Sequence, residues 1–297
     1  MLKRPLAAGG LAALALTLLS AAADPAAGAA QRPAALAAAA PAALPPGFAE
    51  RVVATGLRSP TAMAIAPDGR VFIAEQGGAV RLVVADVLRP EPVVVLPTVA
   101  SGALGLVGIA VAPDFAAAPA LYLNVTVEQP VRHSRIVRLK LDGDGADPET
   151  AQLIADLDPL TTTERIGGAL HFGADGMLYV ATGDNGDGAR APRLDSTHGK
   201  LLRFRPDGRV PEDNPYADAL TGVHAAIWAI GLRDPATFAI QPSSGRMFVN
   251  DSGAAFEEVN DGAIPQLPGG NLTVIPLKDG VPDCGAKVVV DLSGLAA

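Results

Sequence analysis

The sequence predicts an all-β protein made of one repeated unit, and three observations predict it. Apolar runs of four to eight residues alternate with turn residues along the chain, and helical periodicity is weak. One phrase recurs: an apolar strand, a Pro-Asp-Gly-like corner and a second strand carrying an aromatic residue. Its occurrences begin about 45 to 65 residues apart, the spacing of β-propeller blades with insertions. A β-sandwich is the competing all-β fold, but long repeats of strand pairs favour radial repetition.

The clearest unit is Ile166 to Gly208. Ala169 to Phe172 reads as a strand, Ala174-Asp175-Gly176 as a turn, Met177 to Thr182 as a second strand, and Gly183 to Gly188 as a Gly- and Asp-rich loop. A third strand, Lys200 to Arg205, runs into another Pro-Asp-Gly. At such a corner Pro presets φ, Asp caps its own turn and Gly takes positive φ.

In chain order, Phe48 to Ala54 alternates like a strand. Thr61 to Ala66, Val71 to Glu75 and Val80 to Val84 follow, with turns at Pro67-Asp68-Gly69 and Gly77-Gly78. The next unit is Gly105 to Val111, Ala120 to Val127 and Ser134 to Leu141. It ends in the acidic stretch around Asp142, Asp144 and Asp147, which lacks the spacing of a Ca²⁺ hand and reads as a turn. After the Ile166 unit come Thr237 to Ile240, Arg246 to Asn250 and Glu257 to Asn260, and then less regular strands at Asn271 to Leu277 and Lys287 to Leu292.

The ends and the composition set further limits. Lys3 and Arg4 precede an apolar run, Leu6 to Leu19, and Ala21-Ala22-Ala23 offers a cleavage site. Residues 1–23 are therefore expected to be a signal peptide, leaving no membrane span in the mature protein, and residues 24–46 an Ala/Pro-rich tether. Residues 47–297 form the expected propeller domain, exported to the periplasm or secreted. The only cysteine, Cys284, has no internal partner. A formal charge of −8 over 297 residues excludes the basic footprint of a nucleic-acid binder.

The punctuation resembles a known family, the soluble quinoprotein glucose/sorbosone dehydrogenases, which include aldose sugar dehydrogenases. The matching pieces are Glu75-Gln76-Gly77-Gly78, Gly105-Leu106-Val107-Gly108, Gly167-Gly168, Gly183-Asp184-Asn185-Gly186, Gly199-Lys200-Leu201, Pro211 to Tyr216, Gly231 to Pro235 and Glu257 to Asn260, in that order. The resemblance implies a six-bladed propeller; four clear units and a tail leave little material for six blades, so either some blades are degenerate or the ring is incomplete or truncated at the C-terminus.

It also implies pyrroloquinoline quinone (PQQ), Ca²⁺ polarising its carbonyls, a histidine as base on a sugar's anomeric hydroxyl, and arginines holding the cofactor's carboxylates. Carried over residue by residue, the base position falls on Arg165, which keeps its proton and cannot be a base. His171, six residues on, is a displaced alternative. A strand histidine facing the neighbouring blade is its plainer reading.

Asn185, Arg233 and Asp234 fall on cofactor-neighbour positions. Ala103 stands where the family has a cofactor glutamine. Asp251, Ser252 and Gly253 fall on the Ca²⁺ loop, and Glu258 on a carboxylate beside a second Ca²⁺. His133, His198 and His224 lack metal-ligand spacing and read as structural.

The expected function is PQQ-dependent oxidation of an aldose or related sugar, impaired at Arg165, with an electron acceptor the sequence does not specify. The alternative is a non-catalytic exported propeller that binds a sugar or a protein partner. A metal-centred propeller lactonase would draw on Glu75, Asn185 and Asp251, but the family motifs fit it less well.

Overall fold

The computed structural model describes residues 49–241 and 243–252, and the backbone of the strands within 257–263, 271–278, 281–282 and 288–291. The chain divides after Arg51, and the body described below is Val52–Ala297. It consists of antiparallel sheets, and the helices among the described residues are three short 3-10 turns. None of the described helices is long and apolar enough to cross a membrane.

Four sheets follow one another along the chain. The first contains β1 (Pro60–Ile65), β2 (Val71–Glu75), β3 (Ala79–Val84) and two short strands, β4 (Val87–Leu88) and β5 (Val94–Val95). The second is β6 (Leu106–Val111), β7 (Ala120–Val127), β8 (His133–Lys140) and β9 (Gln152–Pro159). The third is β10 (Gly167–Phe172), β11 (Leu178–Thr182), β12 (Lys200–Phe204) and β13 (Ile227–Ile230). The fourth contains β14 (Pro235–Ile240), β15 (Arg246–Ser252), β16 (Glu257–Ala263), β17 (Asn271–Lys278), β18 (Val281–Pro282) and β19 (Val288–Asp291).

Each sheet is a meander, and the leading strands pack in series, β1 on β6, β6 on β10 and β10 on β14. Each leading strand carries a register shift near its start, at Pro60/Ala62, Leu106/Gly108, Gly167/Leu170 and Pro235/Thr237. Such a bulge bends the strand and increases its twist. Its recurrence in all four sheets marks them as copies of one unit.

The corners form as their residues dictate. Gly69, Gly176 and Gly208 all have positive φ. The preceding aspartates, Asp68, Asp175 and Asp207, each accept the N–H two residues on, at 3.1 Å. Asp142 and Gly145 close the expected acidic turn as an isolated antiparallel bridge.

The core lies between sheets, and strand alternation puts it there. On β7, Leu121, Leu123 and Val125 join Phe72, Val80 and Leu82 of the first sheet, while Tyr122 turns to Leu178, Val180 and Phe204 of the third. On β11, Leu178 and Val180 face the second sheet, whereas Tyr179 and Ala181 face Phe238, Met247 and Val249 of the fourth. Polar ties cross the seams as well. The Tyr122 hydroxyl donates to the Pro206 carbonyl at 2.8 Å, and Asn124 Nδ2 to the Gly168 carbonyl at 3.2 Å.

Two expectations differ from the structure. Of the strand expected at Phe48 to Ala54, Phe48 lies outside the described residues, and residues 49–54 are not a strand. Val52 is 72% exposed there, so its apolar face has no sheet to join. Conversely, β9 and β13 complete the second and third sheets although neither had been expected.

Candidate functional site

One end of the third and fourth sheets gathers the residues that carry chemistry. β10 is entered through Arg165, β11 leaves through Asp184-Asn185, β14 is entered through Arg233-Asp234, and Asp251 stands near the end of β15. These arms are tied to one another. The Arg165 Nε lies 3.1 Å from Asp184 Oδ1, in a pair whose carboxylate is only 2% exposed. The Asp184 N–H donates to the Arg233 carbonyl at 2.7 Å, and the Asn185 N–H to the Arg165 carbonyl at 2.9 Å.

Asp251 closes the fourth arm. Its Oδ2 accepts the Arg233 N–H at 2.9 Å and its Oδ1 the Asp234 N–H at 2.6 Å. Glu75 does the same in the first sheet, where it accepts the Arg58 N–H at 2.7 Å. A carboxylate at the end of the second strand thus fixes the turn that enters the first.

Asn185 is buried and committed to the protein. Its Oδ1 accepts from the Thr161 N–H at 2.6 Å, the Thr161 hydroxyl at 3.1 Å and the Thr162 N–H at 3.2 Å. Its Nδ2 donates to the Thr162 hydroxyl at 2.9 Å and to the Glu164 carbonyl at 3.2 Å. Arg165 and Asn185 both hold φ near +50°, in the left-handed region. A non-glycine residue there carries backbone strain, and the two lie side by side on the loops that enter β10 and leave β11.

The electrostatics are mixed. Burial raises the pKa of Asp234, opposed by the hydrogen bond its carboxylate accepts from the Gly167 N–H. Burial also raises Asp251, opposed by the Arg233 and Asp234 amides. Both are better bases than an exposed aspartate. Arg233 donates one guanidinium N–H to the Ser252 carbonyl. Arg165 spends its Nε on Asp184, and its side chain remains 25% exposed.

His171 is not brought to this group. It lies four residues beyond Gly167 on an extended strand, about 13 Å away. There it packs edge-on against Phe238 of the fourth sheet, with ring centroids 4.7 Å apart, and burial lowers its pKa. The other histidines are structural in their contacts. His133 bridges the Val131 carbonyl and Asp156, His198 meets the Pro159 carbonyl, and His224 meets Asp158. Ala103 gives its N–H to the Thr163 carbonyl, and the neighbouring Gln76 side chain donates to the Gly102 and Leu104 carbonyls.

Gly253 lies outside the described residues, and Glu258 is placed only as a position on β16 opposite Asp251. Two residues had no assigned role before the structure. Asp184 sits inside the quoted Gly-Asp-Asn-Gly motif. Lys200 is one of two cations, with Arg203, in the wholly buried strand KLLRF.

The donor chemistry separates the two implied cofactors. PQQ is a tricarboxylate, and two guanidinium groups on adjacent tied arms are the donors such a group needs. Calcium fits less well at the described residues. Both Asp251 oxygens already accept backbone N–H groups, and the Ser252 carbonyl accepts from Arg233. A Ca²⁺ at this carbonyl would sit beside the Arg233 guanidinium, a like charge. No group of three or more His, Cys, Asp or Glu among the described residues could hold a metal.

The repeated antiparallel sheets and their tied loops are those of a propeller-like fold. Residues 57–261 match the glucose/sorbosone dehydrogenase family model, and the chain belongs to that family. It is 31% identical to the aldose sugar dehydrogenase YliI of Escherichia coli, over 72% of this chain and 58% of that protein. It is 26% identical to quinoprotein glucose dehydrogenase B of Acinetobacter calcoaceticus, over 72% of this chain and 50% of that protein. The chain thus spans between half and three fifths of these curated relatives. Its structure resembles the PQQ-bound aldose sugar dehydrogenase of Streptomyces coelicolor with a TM-score of 0.64 at 25% identity, covering 81% of this chain and 83% of that one.

Proposed function

We propose that this protein oxidises an aldose or related sugar with PQQ as the electron acceptor, and that it does so slowly. The observation that supports the reading is the pair of guanidinium groups, Arg165 and Arg233, held on arms that Asp184 joins. A bound quinone supplies a two-electron acceptor for the sugar's anomeric carbon. Arg165 and Arg233 supply the N–H donors for its carboxylates. The half-buried carboxylate of Asp234 takes the proton of the anomeric hydroxyl, since burial raises its pKa. The slowness follows from Arg165, which stands at the family's base position and holds its own proton.

In the same reading the four sheets are blades of a six-bladed ring. The leader at 1–23 and the tether at 24–46 put the activity in the periplasm or outside the cell. No step is routed through calcium. The test is reconstitution of purified protein with PQQ, followed by sugar-dependent reduction of an artificial electron acceptor dye. The reading expects slow, PQQ-dependent turnover with aldoses; reduction that is the same without PQQ, or absent with every aldose, overturns it.

A further inference from the structure

Lys200 is fully buried at the start of β12, directly after the long loop that begins at Asp184. Its Nζ donates to three backbone carbonyls, Arg190 at 2.9 Å, Ala191 at 2.8 Å and His198 at 2.6 Å. An ammonium has three N–H donors, and all three are used. Asp158 and Asp195 act on it only through space. Three carbonyl oxygens converging on one positive centre are the surroundings that backbone loops offer to bound cations.

The acceptors also tie the site together. The Ala191 carbonyl that takes Lys200 Nζ takes the Gly231 N–H as well, at 2.9 Å. Gly231 leads directly to Arg233 and Asp234. The Gly199 N–H, next to Lys200, donates to the Gly183 carbonyl at 2.9 Å, and Gly183 leads to Asp184 and Asn185. The Leu232 N–H returns to the Gly199 carbonyl at 3.1 Å. The Thr182 hydroxyl bridges the Thr197 and Lys200 carbonyls from below. The Gly231 arm thus shares the Ala191 carbonyl with the ammonium, and the Gly183 arm is tied to Gly199, between His198, whose carbonyl the ammonium holds, and Lys200 itself.

We propose that Lys200 is a tethered internal cation. Its ammonium fills a three-carbonyl cage and, as a positioning residue, sets the two arms that carry Asp184-Asn185 and Arg233-Asp234. The role is independent of which ligand those arms bind. A cage that recognises an N–H-donating cation in this way will accept a small free ammonium once the side chain is removed.

The test is hydrogen–deuterium exchange on Lys200→Ala, at near-neutral pH, with and without methylammonium. Without it, amides in 183–199 and 231–234 exchange at least tenfold faster than in the wild type, while amides of β7 do not change. Methylammonium restores the protection, and tetramethylammonium, which has no N–H to donate, does not. Wild-type protection in the bare variant overturns the proposal, and so does equal rescue by tetramethylammonium. A second measurement needs no variant. In ¹⁵N-labelled wild type at pH 6, one lysine side chain shows ammonium protons protected from exchange with water. Their absence overturns the proposal even if Lys200→Ala does not fold.

Discussion

Arg165 and Asp184 form an ion pair 3.1 Å long between the loop that enters β10 and the loop that leaves β11, with the carboxylate almost wholly buried. The pair makes Arg165 a strut between the two loops. A histidine at 165 could exchange a proton at neutral pH, whereas the arginine binds two loops together.

Arg165→His is expected to raise the sugar turnover of the PQQ-reconstituted protein by at least tenfold, while weakening PQQ binding a few-fold through loss of one guanidinium. Steady-state rates across a PQQ titration separate the two effects. Equal or lower turnover at saturating PQQ would show that the missing base is not what limits the site. Arg165→Ala leaves Asp184 buried without its pair and should cost about 1 to 3 kcal/mol in denaturant unfolding.

Asn185 holds residues 161–164 with its side chain and occupies positive φ with its backbone. Asn185→Ala should lose about 2 to 3 kcal/mol, because several net-favourable hydrogen bonds go and alanine is strained at that φ. Asn185→Gly loses the same bonds without the strain and should be about 1 kcal/mol more stable than the alanine variant. Chemical denaturation of the two variants side by side checks the order.

Burial raises the pKa of Asp234 in the fold above its unfolded value. The folded state then holds the proton more tightly, so this group's contribution is fully present below about pH 4 and is lost as pH rises through the folded pKa. Asp234→Asn keeps an oxygen for the Gly167 N–H and removes the charge. It should stabilise the protein at pH 7 and flatten the fall in stability between pH 4 and pH 7. Melting temperature against pH, for the variant and the wild type, carries the test; parallel curves would contradict it. The same substitution should lower turnover if Asp234 takes the proton.

The second and third sheets approach closely at Gly168. A Cβ there would stand 2.5 Å from Val107 Cγ2, and φ is +121°. Gly168→Ala should destabilise the protein by several kcal/mol through both strain and forced separation of the seam. A thermal melt within a degree or two of the wild type would show that the seam is looser than it looks.

Much of the fold was legible because its grammar is local. Apolar runs bounded by turn residues fixed β2 and β7 to the residue, and Asp-Gly corners fixed the hairpins at Gly69 and Gly176. The outer strands were not legible. On β9, Gln152 and Leu153 are exposed and Asp156 pairs with Arg135, so the alternation is blurred. On β13, four residues that follow a 3-10 turn carry too short a pattern to read.

The site was legible in part for the same reason. Arg165, Asn185 and Arg233 stand at turns beside strands and Asp251 near the end of one, and the structure ties their arms together. Their roles depend on partners far away in sequence. Asn185 looked free to meet a ligand until its six contacts with 161–164 were visible. Lys200 stands in the sequence only as the first residue of a strand, and its carbonyl cage is visible in the structure alone.

The most direct test of the central claim, that the joined Arg165 and Arg233 arms form a cofactor-carboxylate site, is an absorbance titration of PQQ into the wild type and into Arg233→Ala. Saturable binding in the wild type, weakened at least tenfold in the variant (about 1.4 kcal/mol), is the expected result. No saturable binding in a folded wild type, or equal affinity in the two proteins, would contradict it.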